Sequence, residues 1–329
     1  MEKKVKFKLG ISGDLINSNG KPCFGEKSLE KIYNRGDVDL EWMDPNIKEI
    51  TQDMAAKFDA ILLNLPKATK KSVDRFDCRL KIISRFGVGF DSVDTVAMKQ
   101  KNIIVTNTPN AVRRPVAVAA LTLIFSLSGK LLLKDNLVRT GSWNERTNFM
   151  GVGLTEKTLG VVGAGNIGSE LIKLAKPFFK NLISYDPFLS RESLIKKGAE
   201  KVDLLELANR SDFVVILCNL NENTKNLIDR KFFEKMKDTS FIINMSRGPV
   251  IKEIDLIYAL KNKLIMGAGL DVMTNEPIEK ENPMLDMKNT ILTPHALCWT
   301  DECFADIANE AIESILNYID NKKIKNRVN

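Results

Sequence analysis

The stretch TLGVVGAGNIG, residues 158–168, constrains the fold of this chain more than any other. It opens with a short apolar run, Leu159 to Val162, that reads as a buried strand. Gly163, Gly165 and Gly168 follow in G-x-G-x-x-G spacing, and the amphipathic run SELIKLAKPF comes next. The first glycine permits a tight turn off the strand. The second lets the backbone approach a pyrophosphate, and the third lets helix and strand pack closely. The helix N-terminus, with Asn166 and Ile167, then offers amides to the phosphates. Asp186 closes the next apolar run, LISYD, eighteen residues past Gly168, near the interval expected of a ribose ligand. Strand, loop, helix and acid together predict a dinucleotide-binding unit. An ordinary turn beside a surface Asp is the competing reading.

A chain of 329 residues has room for two domains, each with its own core. Its net charge of +7 is the difference of 49 basic and 42 acidic residues, and no basic block interleaved with aromatics marks a nucleic-acid surface. The five cysteines are scattered, without C-x-x-C spacing, so a reducing, cytoplasmic setting with thiols and no metal site is expected. The charged start, MEKKVKFKLG, has no long apolar core of the kind a signal peptide needs. The apolar segment Val116 to Leu133 is interrupted by Ser126, Ser128, Gly129 and Lys130, and reads as a buried helix rather than a membrane span.

Taken in order, strands are expected at 5–11, 38–44, 58–65 and from 80, with helices at 26–33 and 47–57. A long helix over 115–133 follows. After the glycine loop come strands from 212, 240, 264 and 290, with helices over 224–236 and 253–261 between them. One amphipathic helix, 301–319, closes the series, with Asp301 as its expected cap. Strands alternating with helices imply α/β architecture with parallel sheets covered on both faces. The dinucleotide unit sits mid-chain, and the closing helix is expected to return to the first domain and leave a cleft.

His295 is the only histidine in the chain, and it follows Thr293-Pro294 at an expected strand end. Carboxyl ends of parallel strands face the binding crevice, and imidazole suits proton exchange with a hydroxyl near neutral pH. Glu276 lies beyond a second strand end. Touching His295, it would favour the protonated ring and fix its tautomer. Arg247 lies at a third, where a guanidinium can grip a carboxylate in two prongs. A packing histidine, a loop glutamate and a surface arginine are the bland alternatives. Gly87, Val88 and Gly89 end a strand of the first domain, and their amides can form a small anion nest or only a turn.

In sequence order, RFGVGFDSVD (85–94), VTNTP (105–109), VVGAGNIG (161–168), YDP (185–187), NMSRG (244–248), GLDV (269–272), EP (276–277) and TPH (293–295) resemble the D-isomer-specific 2-hydroxyacid dehydrogenases, in the phosphoglycerate dehydrogenase-like branch. That resemblance implies a doubly wound parallel-sheet dinucleotide domain over 110–300. It also implies a second, flavodoxin-like α/β substrate domain made of 1–109 and 301–329, and a homodimer formed largely through the cofactor domains. The implied roles are His295 as proton exchanger, Glu276 as its support, and Arg247 as the group orienting a small 2-oxo or 2-hydroxy acid. Gly87–Gly89 would take the substrate carboxylate. Asp186 would select NAD over NADP, with Thr224 and Asp271 also on the cofactor side. Leu217 and Asn219 stand where the family often has His and Pro, and Val118 where it often has an acid. Leu297, Cys298 and Trp299 are bulkier than usual and bear on the substrate wall.

Three functions remain open on these residues: a D-2-hydroxyacid dehydrogenase, a D-3-phosphoglycerate dehydrogenase, and a cofactor-sensing regulator on the same scaffold. The second needs cations for a phosphate, with Arg85, Arg113 and Arg114 as candidates. It also shares the pattern over 80–96, although no regulatory domain follows residue 329 in this sequence. The third needs only the glycine loop, so the retention of His295, Glu276 and Arg247 argues for turnover.

Overall fold

The computed structural model of the protein describes residues 6–329; Val5 and the charged residues before it, where the first strand was expected to begin, lie outside the described residues. The chain divides into two compact units, one of Met1–Val112 with Trp299–Asn329 and one of Arg113–Cys298.

The first unit holds a parallel sheet of β1 (Phe7–Ile11), β2 (Val38–Trp42), β3 (Ala60–Leu63), β4 (Ile82–Arg85) and β5 (Ile104–Thr106), in the order β2-β1-β3-β4-β5. This is the flavodoxin-like order. Ile61, Leu63, Ile83 and Val105 are buried with Phe58 and Met98 on one face. The helix Asp301–Ile319 belongs to this unit. It buries Phe304, Ile307, Ile312 and Ile315, and Ser84 donates from Oγ to its Ala311 carbonyl at 3.0 Å. The segment 326–329 runs beside β5: Val328 donates to the Val105 carbonyl at 2.9 Å, and Thr106 and Arg327 form an antiparallel bridge.

The second unit holds seven parallel strands: β6 (Thr158–Val162), β7 (Asn181–Tyr185), β8 (Glu200–Lys201), β9 (Phe213–Ile216), β10 (Phe241–Asn244), β11 (Gly267–Leu270) and β12 (Thr290–Leu292). Their order is β12-β11-β10-β9-β6-β7-β8, so the winding reverses between β6 and β9. A ligand crevice belongs beyond the strand ends at that reversal. β9 and β10 are buried at all four positions, as expected for strands covered on both faces.

Several elements differ from expectation, some through pairing with distant residues and some through a cap or a bend. The helix expected over 47–57 starts at Gln52, because Glu49 bridges to Lys67 and the Thr51 hydroxyl caps the Met54 amide. The single helix expected over 115–133 is two, Arg113–Gly129 and Leu131–Arg139. They bend by 57° at Lys130, which has φ +52°. Among the described residues no single helix is long and apolar enough to cross a membrane. The helix expected over 224–236 is confined to Arg230–Lys235, because Ile228 bridges to Ile251 and Asp229 caps Phe232. Thr300, not Asp301, caps the closing helix, its hydroxyl accepting the Cys303 amide at 3.1 Å. The short strands β5 and β8 carry too few residues for a period to register.

Candidate active site

The glycine loop links β6 to the helix Asn166–Ala175. Gly163 has φ +94°, and a Cβ there would lie 2.8 Å from the Cys218 amide nitrogen, so conformation and space both require glycine. A Cβ on Gly168 would lie 2.0 Å from the Gly163 carbonyl oxygen, which sets how closely helix and strand pack. Gly165, by contrast, faces open space. It stands with Asn166 and Ile167 at the helix start, where first-turn amides have no intrahelical acceptor. Burial pushes the neighbouring Cys218 thiol up to about 11, with a further push from Asp186, which leaves it a packing group at neutral pH.

Asp186 follows β7 and is 8% exposed. Its Oδ2 accepts the Ala164 amide at 2.9 Å and its Oδ1 the Phe188 amide at 3.0 Å. The side chain therefore fixes the loop whose phosphate-binding character the sequence suggests, and each oxygen keeps a further lone pair. Thr224 is turned inward on its own loop. Its hydroxyl donates to the Asn219 carbonyl at 2.6 Å and accepts the Asn221 amide at 2.8 Å.

The three strands β10, β11 and β12 deliver the polar group. After β10, Asn244 folds back: its Oδ1 accepts the Ser246 amide and its Nδ2 donates to the Arg247 carbonyl, both at 3.0 Å. Arg247 is extended, with φ −143°, and donates from Nη1 to the Ser246 carbonyl at 2.8 Å. Gly248 allows this turn to press on the next loop, since a Cβ there would lie 2.0 Å from the Met273 carbonyl oxygen. That next loop carries Glu276, whose Oε1 accepts the Met273 amide at 2.9 Å and whose Oε2 meets His295 Nδ1 at 2.8 Å. Burial pushes the Glu276 carboxyl up. The hydrogen bonds from His295 and Met273, with the charges of His295 and Arg247, outweigh burial and hold it below the usual carboxylate range.

His295 sits in the left-handed region at φ +54°, with its amide donating to the Thr293 carbonyl at 3.0 Å. Asp271, 2% exposed at the end of β11, holds that conformation. Its Oδ1 accepts the Thr293 hydroxyl at 2.6 Å and the Ala296 and Leu297 amides at 3.1 Å each. Strained backbone at a candidate proton donor persists only where its surroundings over-determine it, and Asp271 is that determinant here. Asp271, read from the sequence as a cofactor-side acid, thus takes a place under the histidine loop. With Nδ1 directed at Glu276, Nε2 is the ring nitrogen left to exchange a proton.

In the first unit, Gly87 has φ +124° and is the turn off β4. Every carbonyl of Gly87–Gly89 is held: Gly87 by the Thr108 amide (3.1 Å), Val88 by Asn107 Nδ2 (2.8 Å) and Gly89 by Arg85 Nε (2.9 Å). The Gly87 amide donates to Thr108 Oγ1, whereas the Val88 and Gly89 amides have no partner among the described residues. Trp299, 53% exposed, packs edge-on against Phe304 at 5.0 Å, and Phe304 against Phe86 at 5.2 Å. An aromatic line thus joins the tryptophan to the residue before the loop. Asn107, Thr108, Asn244 and Thr293 had no role assigned from sequence. Their signal is an Asn or Thr at or within two residues of a strand's carboxyl end, the habit of residues that bond nearby backbone.

A sequence model of the D-isomer specific 2-hydroxyacid dehydrogenase NAD binding domain matches residues 121–296. The chain belongs to the D-isomer specific 2-hydroxyacid dehydrogenase family. The matched residues lie in the second unit, which is accordingly the nicotinamide-dinucleotide domain, and its open, glycine-lined loop fits that ligand. The chain is 34% identical over 273 residues to the D-3-phosphoglycerate dehydrogenase of Archaeoglobus fulgidus, a match covering 83% of this chain and 52% of that protein. It therefore spans about half the length of the phosphoglycerate dehydrogenases it matches first. It is 33% identical over 316 residues to the glyoxylate reductase of Thermococcus litoralis, covering 94% of each. Among solved structures it resembles an acyclic imino acid reductase in complex with NADPH and D-arginine. The TM-score is 0.84 at 26% identity, over 98% of this chain and 100% of that one.

Proposed function

We propose that this chain is an NAD-dependent oxidoreductase that interconverts a small D-2-hydroxy acid and its 2-oxo acid. The observation that carries the reading is the 2.8 Å pair of the chain's only histidine with Glu276, in the same unit as Arg247 and the glycine loop. A bound nicotinamide supplies or accepts the hydride. His295 then gives its Nε2 proton to the carbonyl oxygen in reduction and takes it back in oxidation. Glu276 stabilises the imidazolium and fixes the ring. Arg247 holds the acid's carboxylate and leans charge toward the carbonyl oxygen. Gly163, Gly165, Asn166, Ile167 and Gly168 cradle the pyrophosphate. Asp186 receives the adenosine ribose and repels a 2′-phosphate, with Thr224 shaping the loop nearby. In the first unit, Val88 and Gly89 offer a carboxylate two amides, Gly87 sets their turn, and Trp299 shapes the wall beside the substrate's side chain.

The direct test follows NADH oxidation in the near ultraviolet against a panel of 2-oxo acids, with NADPH in parallel. Acid-dependent oxidation, faster in kcat/KM with NADH, is expected. Oxidation of NADH by none of the acids would leave the cofactor-sensing reading standing instead, and a preference for NADPH would remove the role given to Asp186.

Glu276 also sets a pH dependence. Its carboxyl value in the folded protein lies below the unfolded one, so the stability it lends is present at neutral pH and is lost as pH falls through the folded value. Glu276→Gln removes the charged partner of His295 Nδ1 and should therefore lower kcat for reduction by about tenfold, with NADH affinity kept. An unchanged kcat, with chemistry rate-limiting, refutes the pairing.

A homodimer is part of the same proposal. Val118, Phe125, Leu131, Leu132, Val138, Trp143 and Met150 are all exposed, and all fall within one short stretch of the second unit. Apolar exposure concentrated in one stretch of chain supports an association surface there. Light scattering should give twice the 36.9 kDa chain mass, and a monomer at micromolar concentration would dismiss it.

A further inference from the structure

Arg85 is the residue of the first unit that a phosphorylated substrate would most readily recruit, because it stands two positions before Gly87. Its guanidinium is instead engaged with the protein's own backbone. Nε donates to the Gly89 carbonyl at 2.9 Å, and Nη1 donates to the Leu63 carbonyl at 2.8 Å and to the Asn64 carbonyl. The other two cations suggested by sequence for a phosphate, Arg113 and Arg114, both meet the buried carboxylate of Glu170, at 3.8 and 2.9 Å.

The Arg85 contacts belong to a polar chain across the carboxyl ends of four neighbouring strands. Beyond β1, the Ser12 hydroxyl accepts the Asn64 amide at 3.0 Å, and Asp14 Oδ2 accepts Asn64 Nδ2 at 2.6 Å and the Leu65 amide at 3.3 Å. Those bonds fix the end of β3, where the carbonyls of Leu63 and of Asn64 just beyond it receive Arg85. Arg85, at the end of β4, passes that order to Gly89. Asn107 does the same from beyond β5, donating to the Val88 carbonyl. With the carbonyls of the loop tied from behind, the amides of Val88 and Gly89, which have no partner among the described residues, are held in place before any ligand arrives. Preorganised donors of this kind need no reordering on binding.

From these contacts we infer that Arg85 is a positioning residue: it aims the Val88 and Gly89 amides at the carboxylate of an unphosphorylated 2-oxo acid and is not a ligand for a substrate phosphate. The inference deepens the proposed dehydrogenase reading and depends on it for the identity of the carboxylate. Lysine separates the two roles. It replaces arginine tolerably as a point charge for phosphate, but it lacks the planar fork that reaches Gly89 with one nitrogen and the β3 carbonyls with another.

The experiment compares the parent, Arg85→Lys, Arg85→Gln and Asn107→Ser. It measures KM and kcat for hydroxypyruvate and phosphohydroxypyruvate, Kd for NADH and for oxamate with NADH bound, and amide hydrogen exchange at Gly87 and Thr108, whose amides bond across the turn. The parent should prefer hydroxypyruvate. All three variants should raise its KM and the oxamate Kd, by about tenfold for the arginine variants given the bonds lost, with kcat and NADH affinity changed far less. Exchange at the two amides should quicken. A defect confined to phosphohydroxypyruvate and rescued in Arg85→Lys overturns the inference, as does parent-like KM and exchange in Arg85→Gln. If that variant does not fold, Arg85→Lys and Asn107→Ser decide by the same readouts. Failure of the parent to turn over any acid would refute the proposed function. The exchange rates would still test the clamp, and unchanged rates in the variants would refute it.

Discussion

His295→Asn is expected to lower kcat by about 10²- to 10⁴-fold, the usual worth of a positioned acid–base group, while NADH affinity and Tm stay near those of the parent. Asparagine is the informative replacement because of the backbone. His295 has φ +54°, and Asn is among the few side chains that occupy the left-handed region readily. Alanine would mix a lost proton carrier with a relaxed loop. Asn keeps the turn that Asp271 holds through Thr293, Ala296 and Leu297, yet it cannot exchange a proton. It also leaves Glu276 with the Met273 amide but without the imidazole. Steady-state turnover of the best acid, beside a fluorescence titration with NADH, is the measurement. A kcat within threefold of the parent would take His295 out of the chemistry.

Arg247→Lys should cost about 100-fold in kcat/KM, or roughly 3 kcal/mol, the scale of losing one preorganised donor to a developing oxyanion. The loss should divide between a higher KM and a lower kcat. Lysine keeps the attraction to a carboxylate but loses the planar fork, so both grip and aim suffer. The surroundings are built to hold the fork still: Asn244 pins the turn on both sides, and Gly248 lets it press on the loop that carries Glu276. NADH binding should barely change, since the pyrophosphate is assigned to Gly163–Gly168. Equal kcat/KM in parent and variant would require a different group to orient the acid.

The α/β class and the parallel sheets were legible because fully buried parallel strands leave unbroken apolar runs, such as Phe213–Ile216 and Phe241–Asn244. Helix limits were less so. Ile47–Ile50 and Thr224–Ile228 have helix-like patterns, but long-range bridges to Lys67 and Ile251 take their backbones. Tertiary pairing of this kind leaves no trace in local periodicity. At Lys130 the backbone turns left-handed, a break that the long apolar pattern hides. In the candidate site, His295, Glu276 and Arg247 could be named because each follows a strand end. What could not be read was which backbone groups hold them. The bonds of Asp271 to Ala296 and Leu297, and of Arg85 to Leu63 and Gly89, join residues through a folded geometry that residue type alone does not encode.

The segment 326–329 has a meaning beyond its place along β5. A border strand presents unpaired amides and carbonyls that a second sheet can zip onto. Here the Val105 amide is taken by Asn329 Oδ1 at 3.0 Å, the Val105 carbonyl by the Val328 amide, and the Ile103 carbonyl by Asn329 Nδ2 at 2.7 Å. The ribbon is thereby a guard against sheet-to-sheet aggregation. It is also a distant support for the turn after β4, because the Asn326 carbonyl accepts the amide of Asn107, whose side chain holds Val88. Cover for the sheet border and the set of the turn after β4 thus share one short length of chain, and a change there would be felt in both.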